Sequence, residues 1–267
     1  MNEHLHLYKR EIGSPEQSKT FRPTVIKIGG STVAERKNTI KDIAFLYNSG
    51  IPVLVVHGGG IEADQELKKR NISPKKIEGE RVTDAKTLEA VVSVFDGINA
   101  QIVEQLSELN VPAKGFDSLS RLLQGVVENP ILGLVGKVTK VENEILDKVI
   151  AEKIVPIISP IAIAENSSQL LNVNADIVAG EVASSLRFDL VLLTDVPGVL
   201  DAGGNLIPEL SPDDDQKLQQ EEVITKGMKP KIKASFIAAK FGKVFICQSS
   251  ELKEVFFGKP KGTSVKW

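Results

Sequence analysis

Five short apolar runs punctuate the chain: "TVIKI" at 24–28, "VLVV" at 53–56, "VPIISPI" at 155–161, "LVLLT" at 190–194 and "KVFIC" at 243–247. Each is continuous, as expected of strands buried on both faces. Between them, apolar residues recur at helical spacing. The clearest stretches are 85–109, 175–186 and 229–241, and "IEADQELKKRN" at 61–71 reads as a shorter helix. Strands alternating with helices predict a mainly parallel sheet with helices on both faces. Residues 1–22 are polar, have no such stripe and are interrupted by Gly13 and Pro15, so they are expected to form a tail or arm. No internal repeat, low-complexity tract or Pro/Gly/Ser-rich linker divides the rest, and 23–267 is expected to be a single domain.

Composition narrows the partners. The 267 residues are 42% hydrophobic and 25% charged, with a formal net charge of −2. No global field draws such a chain to nucleic acid or an anionic membrane. Aromatics at 5% argue against stacking platforms for single strands. No apolar run approaches the ~20 residues of a membrane span, and the N-terminus lacks an apolar signal core. With Cys247 as the single cysteine, no intrachain disulfide can form, which fits a reducing cytoplasm. Cys247 itself, inside an apolar run, reads as a small buried hydrophobe.

Two strand ends run into glycine: "KIGGS" at 27–31 and "HGGG" at 57–60. Glycine lets the backbone approach a ligand closely, a following helix adds its positive end, and open parallel sheets bind ligands at the carboxyl ends of their strands. A tight turn without a ligand is the bland reading of one such junction. Two junctions, one preceded by Lys27 inside an apolar strand, point to an anion such as phosphate, because a lysine is costly to bury unless it meets a negative charge. The P-loop and dinucleotide fingerprints are absent, as are protein-kinase signatures and Cys/His spacings for zinc. His57 reads as a structural imidazole that fixes the loop.

"KIGGS", "HGGG", "GERVTD" (79–84), "NVNAD" (172–176), "LLTDVPGVL" (192–200), "KGMKPK" (226–231) and the terminal "GTSVKW" then occur in an order that resembles the amino acid kinase superfamily, and within it the N-acetylglutamate kinases. The resemblance covers roughly 23–267. It implies a three-layer αβα sandwich around an eight-stranded, mainly parallel sheet. A lobe of about 23–175 would hold the acyl-amino acid and a lobe of about 176–267 would hold ATP, with magnesium carried mainly by the phosphates and no protein metal ligand. The implied reaction moves the γ-phosphoryl of ATP onto the side-chain carboxylate of N-acetyl-L-glutamate, a step of arginine biosynthesis.

By the same resemblance, Lys27 and Lys231 flank the moving phosphoryl and Asp176 holds them. Gly29, Gly30, Gly58 and Gly59 would offer N–H groups to phosphate, Thr194, Asp195 and Val196 would touch the nucleotide, and Gly59, Gly60, Arg81 and Asn172 would line the acceptor site. Read alone, Asp176 is also a helix-start carboxylate, Arg81 a partner of Glu78 or Glu80, Asn172 an Asx turn, and 192–200 a strand and turn. No general base is required, since a carboxylate acceptor is already ionised at neutral pH.

The chain departs from the family in two places. Ile61 stands where many members have proline, and 116–121 ("FDSLSR") replaces a glycine-rich stretch expected near the acceptor. Arg121 keeps open a kinase acting on 2-aminoadipate linked to an acidic carrier protein, and the altered loop keeps open a non-catalytic binding protein. Relatives inhibited by arginine usually carry an N-terminal amphipathic helix, so by the resemblance the polar segment here implies an arginine-insensitive homodimer.

Overall fold

Why the β-branched runs become strands is visible in their neighbours. The computed structural model describes residues 21–29, 33–220, 224 and 227–267. In chain order, β1 is Thr24–Ile28, α1 Val33–Asn48, β2 Val53–His57, α2 Gly60–Lys69, β3 Lys76–Ile77, β4 Glu80–Arg81, α3 Ala85–Glu108 and β5 Ala113–Phe116. Then come β6 Leu123–Val127, β7 Gly136–Val141, α4 Asn143–Ala151, β8 Val155–Ile158, β9 Ile161–Ala164, β10 Leu170–Asn172 and α5 Ala175–Leu186. The chain closes with β11 Asp189–Thr194, β12 Glu209–Leu210, α6 Pro212–Gln220, α7 Lys229–Ala239, β13 Val244–Gln248, α8 Leu252–Phe257 and β14 Gly262–Val265.

The central sheet has 8 strands in the order β12-β14-β13-β11-β1-β2-β8-β5. It is parallel from β13 to β5, and β14 turns antiparallel against β13. Successive residues along β1 point to opposite faces. Ile26 and Ile28 join a core with α1 and α3 residues such as Ile43 and Ile102. Val25 joins a second core with Val178 and Val182 of α5. Lys27 shares the parity of Val25, so its side chain enters the face that α5 covers.

The αβα reading with an eight-stranded, mostly parallel sheet is therefore observed, with one element that the apolar pattern did not separate. The run 155–161 is two strands: β8 lies in the central sheet, and β9 lies in a 4-stranded sheet ordered β10-β9-β6-β7. Proline has no N–H to extend a ladder, and at Pro160 the chain leaves the main sheet. The Pro160 carbonyl accepts from the Val173 N–H at 3.0 Å, which ties the end of β10 to the corner. A hairpin of β3 and β4 stands apart from both sheets, with Lys76 opposite Arg81.

Residues 1–20 of the expected polar segment lie outside the described residues, as does Gly30. Phe21 packs edge-on against Phe257 at 5.5 Å, and Arg22 pairs with Asp189 at 3.1 Å, so the last two residues of that segment are anchored.

Helix α5 and helix α7 approach closely at Gly180. A Cβ there would stand 2.6 Å from the backbone oxygen of Ala234 and 2.9 Å from its Cα. Gly180 lies one turn after Asp176, and Ala234 nearly one turn after Lys231, so this contact sets how near those two side chains come. Gly180→Val is expected to destabilise the fold by ~1–3 kcal/mol and to lower turnover as well. Thermal melting and steady-state rates on the same sample check both; a variant with unchanged melting and rate would contradict the close-contact account.

Candidate active site

The first half of the site is a buried cluster of three charges. Asn174 caps α5, its side chain accepting from the Asp176 N–H at 2.9 Å and the Ile177 N–H at 3.4 Å. The cap leaves Asp176 free of capping duty, and its carboxylate turns toward β1 and α7. Lys27 Nζ lies 2.9 Å from Asp176 Oδ1. Lys231 Nζ lies 3.0 Å from Oδ2 and 3.2 Å from Oδ1. Lys27 and Asp176 are each only 5% exposed.

The cluster is electrostatically unfinished. Burial pushes the Asp176 carboxyl up, but the charges and hydrogen bonds of Lys27 and Lys231 outweigh it and hold its pKa below the usual carboxylate value. Lys27 is lowered, first by burial and then by Lys231, against the opposing pull of Asp176. Two ammonium groups on one carboxylate leave one uncompensated positive charge. Helix α7 adds to it, because Lys229 and Lys231 fall in its first turn, where the helix dipole already favours an anion and penalises a cation.

The glycines explain the room around this charge. A Cβ on Gly29 would stand 3.2 Å from Lys27 Nζ and 3.1 Å from the Leu193 carbonyl oxygen. A Cβ on Gly59 would stand 2.5 Å from Ile98 Cδ1, so α3 packs directly on that backbone. Gly60 makes no such close approach; its carbonyl accepts from Arg81 at 3.1 Å. The Gly58 N–H, expected to face a phosphate, instead donates to the Ile28 carbonyl at 2.9 Å. That donor is spent holding the two strand ends together.

His57 orients the junction. Its Nδ1 lies 3.0 Å from the Gly58 carbonyl oxygen, which can only accept, so Nδ1 carries the proton. Nε2 then accepts from Ser159 Oγ at 3.0 Å, with Asn99 Nδ2 alongside at 3.3 Å. Fixing the Gly58 carbonyl turns the N–H of the same trans peptide, that of Gly59, to the opposite side. Burial lowers the His57 pKa to about 4. The unfolded imidazole protonates near its ordinary 6.5 while the folded one stays neutral, so stability should fall as pH drops from 6.5 toward 4. The loss should reach roughly 3 kcal/mol, and His57→Gln should flatten that limb in denaturant titrations.

The second half of the site is another set of two cations on one carboxylate. Arg81 donates to Asp64 Oδ1, and Lys76 Nζ donates to Asp64 Oδ2 at 2.8 Å. Burial raises the Asp64 carboxyl, while the Lys76 and Arg81 hydrogen bonds lower it further, for a net shift downward. Arg81 thus pairs with neither Glu78 nor Glu80. Asn172 sits in β10, its amide donating to Thr83 Oγ1 at 3.2 Å; the Asx turn belongs to Asn174.

One cleft of about 560 Å³ takes in both halves. Its walls include Lys27, Gly58, Gly59, Gly60, Asp64, Lys76, Arg81, Asn172 and Asp176. Lys231, bound to Asp176, is not among its lining residues, and neither are Thr194, Asp195 and Val196. Thr194 ends β11 next to β1 and pairs with Gln248 of β13, and the carbonyl of Asp195, the next residue, accepts from Gln248 at 3.2 Å. The 116–121 loop is also outside the walls; Ser118 Oγ is tied to Asp96 at 2.6 Å. Sequence reasoning missed Asp64, Lys76 and Asn174. Asp64 could have been found as the acid one helical turn after Gly60.

Comparison with known proteins identifies the family. The family model described as "Amino acid kinase family" matches residues 22–248. An acetylglutamate kinase of Prochlorococcus marinus subsp. pastoris is 40% identical over 221 residues, covering 79% of this chain and 77% of its own. One from Archaeoglobus fulgidus is 37% identical over 246 residues, covering 84% of each. A crystal structure of a Streptococcus mutans UA159 protein superposes with a TM-score of 0.80 at 26% identity, covering 91% of this chain and 98% of its own. With the family model spanning most of the fold, and with relatives this similar over most of their length, the chain belongs to the amino acid kinase family.

Proposed function

We propose that the protein transfers the γ-phosphoryl group of ATP to the side-chain carboxylate of N-acetyl-L-glutamate, forming N-acetyl-L-glutamyl 5-phosphate in arginine biosynthesis. One observation carries the reading: a single cleft is lined by members of two separate charge clusters, Lys27 with Asp176 and Lys76 with Arg81 and Asp64, and in each cluster two cations share one carboxylate. An acceptor with two carboxylates suits such a cleft. Its α-carboxylate goes to Arg81, a planar donor matched to that group. Its side-chain carboxylate faces the phosphoryl between Lys27 and Lys231. The relatives' name as acetylglutamate kinases supports the same acceptor.

Catalysis then consists of positioning and charge neutralisation. Lys27, on β1, offsets charge on the attacking side. Lys231, on α7, offsets charge on the leaving oxygen. Asp176 keeps both ammonium groups aimed at the cleft and takes no proton. The Gly59 N–H, Gly29 and Gly30 cradle the phosphoryl, Gly60 and Asn172 border the acceptor, and Thr194, Asp195 and Val196 border the nucleotide. Magnesium travels with the phosphates. Residues of about 23–175 form the acceptor lobe and about 176–267 the nucleotide lobe. We assign the protein to the cytoplasm as a homodimer.

A carrier-linked acceptor is less well served. Its acidic carrier would need a cation excess at the cleft's mouth, and Arg121, the residue that suggested one, is not among the lining residues. The test is ADP release with MgATP and N-acetyl-L-glutamate, L-glutamate or N-acetyl-L-aspartate, with hydroxylamine trapping the acyl phosphate. Turnover with N-acetyl-L-glutamate alone is expected; none with any of the three would overturn the assignment.

A further inference from the structure

We propose that Asp64 sets the charge of the acceptor's head-group subsite, making it a place for a carboxylate and not for a phosphate. The inference rests on the assignment of Arg81 to the acceptor's α-carboxylate. Lys76 and Arg81 face each other across the β3–β4 hairpin, and both reach the one Asp64 carboxylate on α2. Two unit cations and one unit anion leave a single positive charge. A carboxylate head brings one negative charge and balances it. A phosphate brings about −1.5 to −2 at neutral pH and would leave the subsite negative. Arg81 is also held by the Gly60 carbonyl, so its plane is fixed independently of Asp64. Asp64 therefore acts on the subsite through charge and through the placing of Lys76, as a positioning and specificity-determining residue.

The neighbouring charges do not alter the comparison. Glu128 is matched by Lys233 at 3.6 Å across the cleft, and Glu80 has its pKa raised by burial and by Glu128. Both stay as they are when Asp64 or Lys76 is changed. Asp64→Asn keeps the shape and takes the subsite to two positive charges. Lys76→Met takes it to none, and Asp64→Asn with Lys76→Met returns it to one.

The experiment holds the protein with saturating magnesium and a non-hydrolysable ATP analogue, which occupies the other phosphate site, and titrates inorganic phosphate by calorimetry. Wild type should show no saturable binding at ~10 mM, Asp64→Asn should bind at least ~10-fold more tightly, and the double variant should return to wild-type behaviour. In parallel, Lys76→Met should raise KM for N-acetyl-L-glutamate ~5–10-fold with kcat within about twofold. Equal phosphate binding in wild type and Asp64→Asn, or tight binding that persists in the double variant, would overturn the proposal. If Asp64→Asn does not fold, Lys76→Met still decides: a fall in kcat at unchanged KM sinks it. Wild type that turns over no N-acetyl-L-glutamate refutes the acceptor assignment instead, while the phosphate titration still reads the charge rule.

Discussion

Lys231→Ala should lower kcat by ~10³-fold or more, about 4 kcal/mol of transition-state stabilisation, while the protein still folds. The reasoning starts from what remains after truncation. Asp176 keeps Lys27 at 2.9 Å, so the buried cluster becomes a one-to-one ion pair, and no charge is left unpaired in the core. The Lys231 side chain is 13% exposed, so water can fill the vacated space. What is lost is the only excess positive charge in the cluster, and with it the neutralisation of the leaving phosphate oxygen. An interaction made chiefly in the transition state should appear in kcat and kcat/KM together, with KM for ATP changed much less. Single-turnover and steady-state rates on a variant with a wild-type melting curve provide the measurement. A Lys231→Ala enzyme within tenfold of wild-type kcat would remove Lys231 from the chemistry.

Much of the fold was legible because its signals are local. The helix expected at 175–186 is α5 with the same bounds, and "TVIKI" is β1. A strand buried on both faces is apolar almost throughout, so β1, β2, β8, β11 and β13 announced themselves, whereas β5, β12 and β14, at or next to the ends of the sheet, did not. The 4-stranded sheet was not legible for the same reason. Its strands carry exposed and polar positions, as Gly136–Val141 with Lys137, Thr139 and Lys140 exposed illustrates, and β9 follows β8 after two residues without a change in composition. Where the chain leaves one sheet for another is decided by which long-range partners accept the next strand, and that information is not written locally.

The chemistry divides in a similar way. Lys27 stood out because a charge inside an apolar strand demands a partner, and the partner is Asp176, 149 positions later by its number. The residue pattern gave the need; only the fold places α5 against β1. Arg81 was found as a carboxylate-binding residue, but the partner it would have when read alone was sought among its sequence neighbours Glu78 and Glu80. It reaches Asp64 on α2 instead, because the hairpin folds its cations toward the helix. Gly58 was expected to present its N–H to phosphate, yet strand pairing extends one residue past β2 and consumes it. Hydrogen-bond bookkeeping of this kind depends on where a ladder stops, which a glycine run leaves open.

Asp176→Asn should have the larger effect on stability, because it removes the anion and leaves both cations. Lys27 and Lys231 would then share a buried space with no countercharge, a situation that typically costs ~3–5 kcal/mol; for a chain of this size that is a melting temperature lower by roughly 10 °C. The pH dependence separates this account from simple packing loss. In wild type the folded Asp176 pKa lies below its unfolded value, so its contribution is present above about pH 4 and is lost as pH falls through the lower, folded value. The asparagine variant should lack that acid limb. At the other end, Lys27 is depressed already in wild type. Without Asp176 the folded Lys27 should release its proton well before the unfolded one does, so the variant should gain stability as pH rises toward 10 by more than wild type gains. Anions that enter the cleft should also stabilise the variant more, since they fill the charge deficit that Asp176 left. Melting curves from about pH 2 to 10, with and without a magnesium–ATP analogue, test all three. A variant that melts like wild type across that range would mean that the two lysines do not depend on Asp176 for their place in the core.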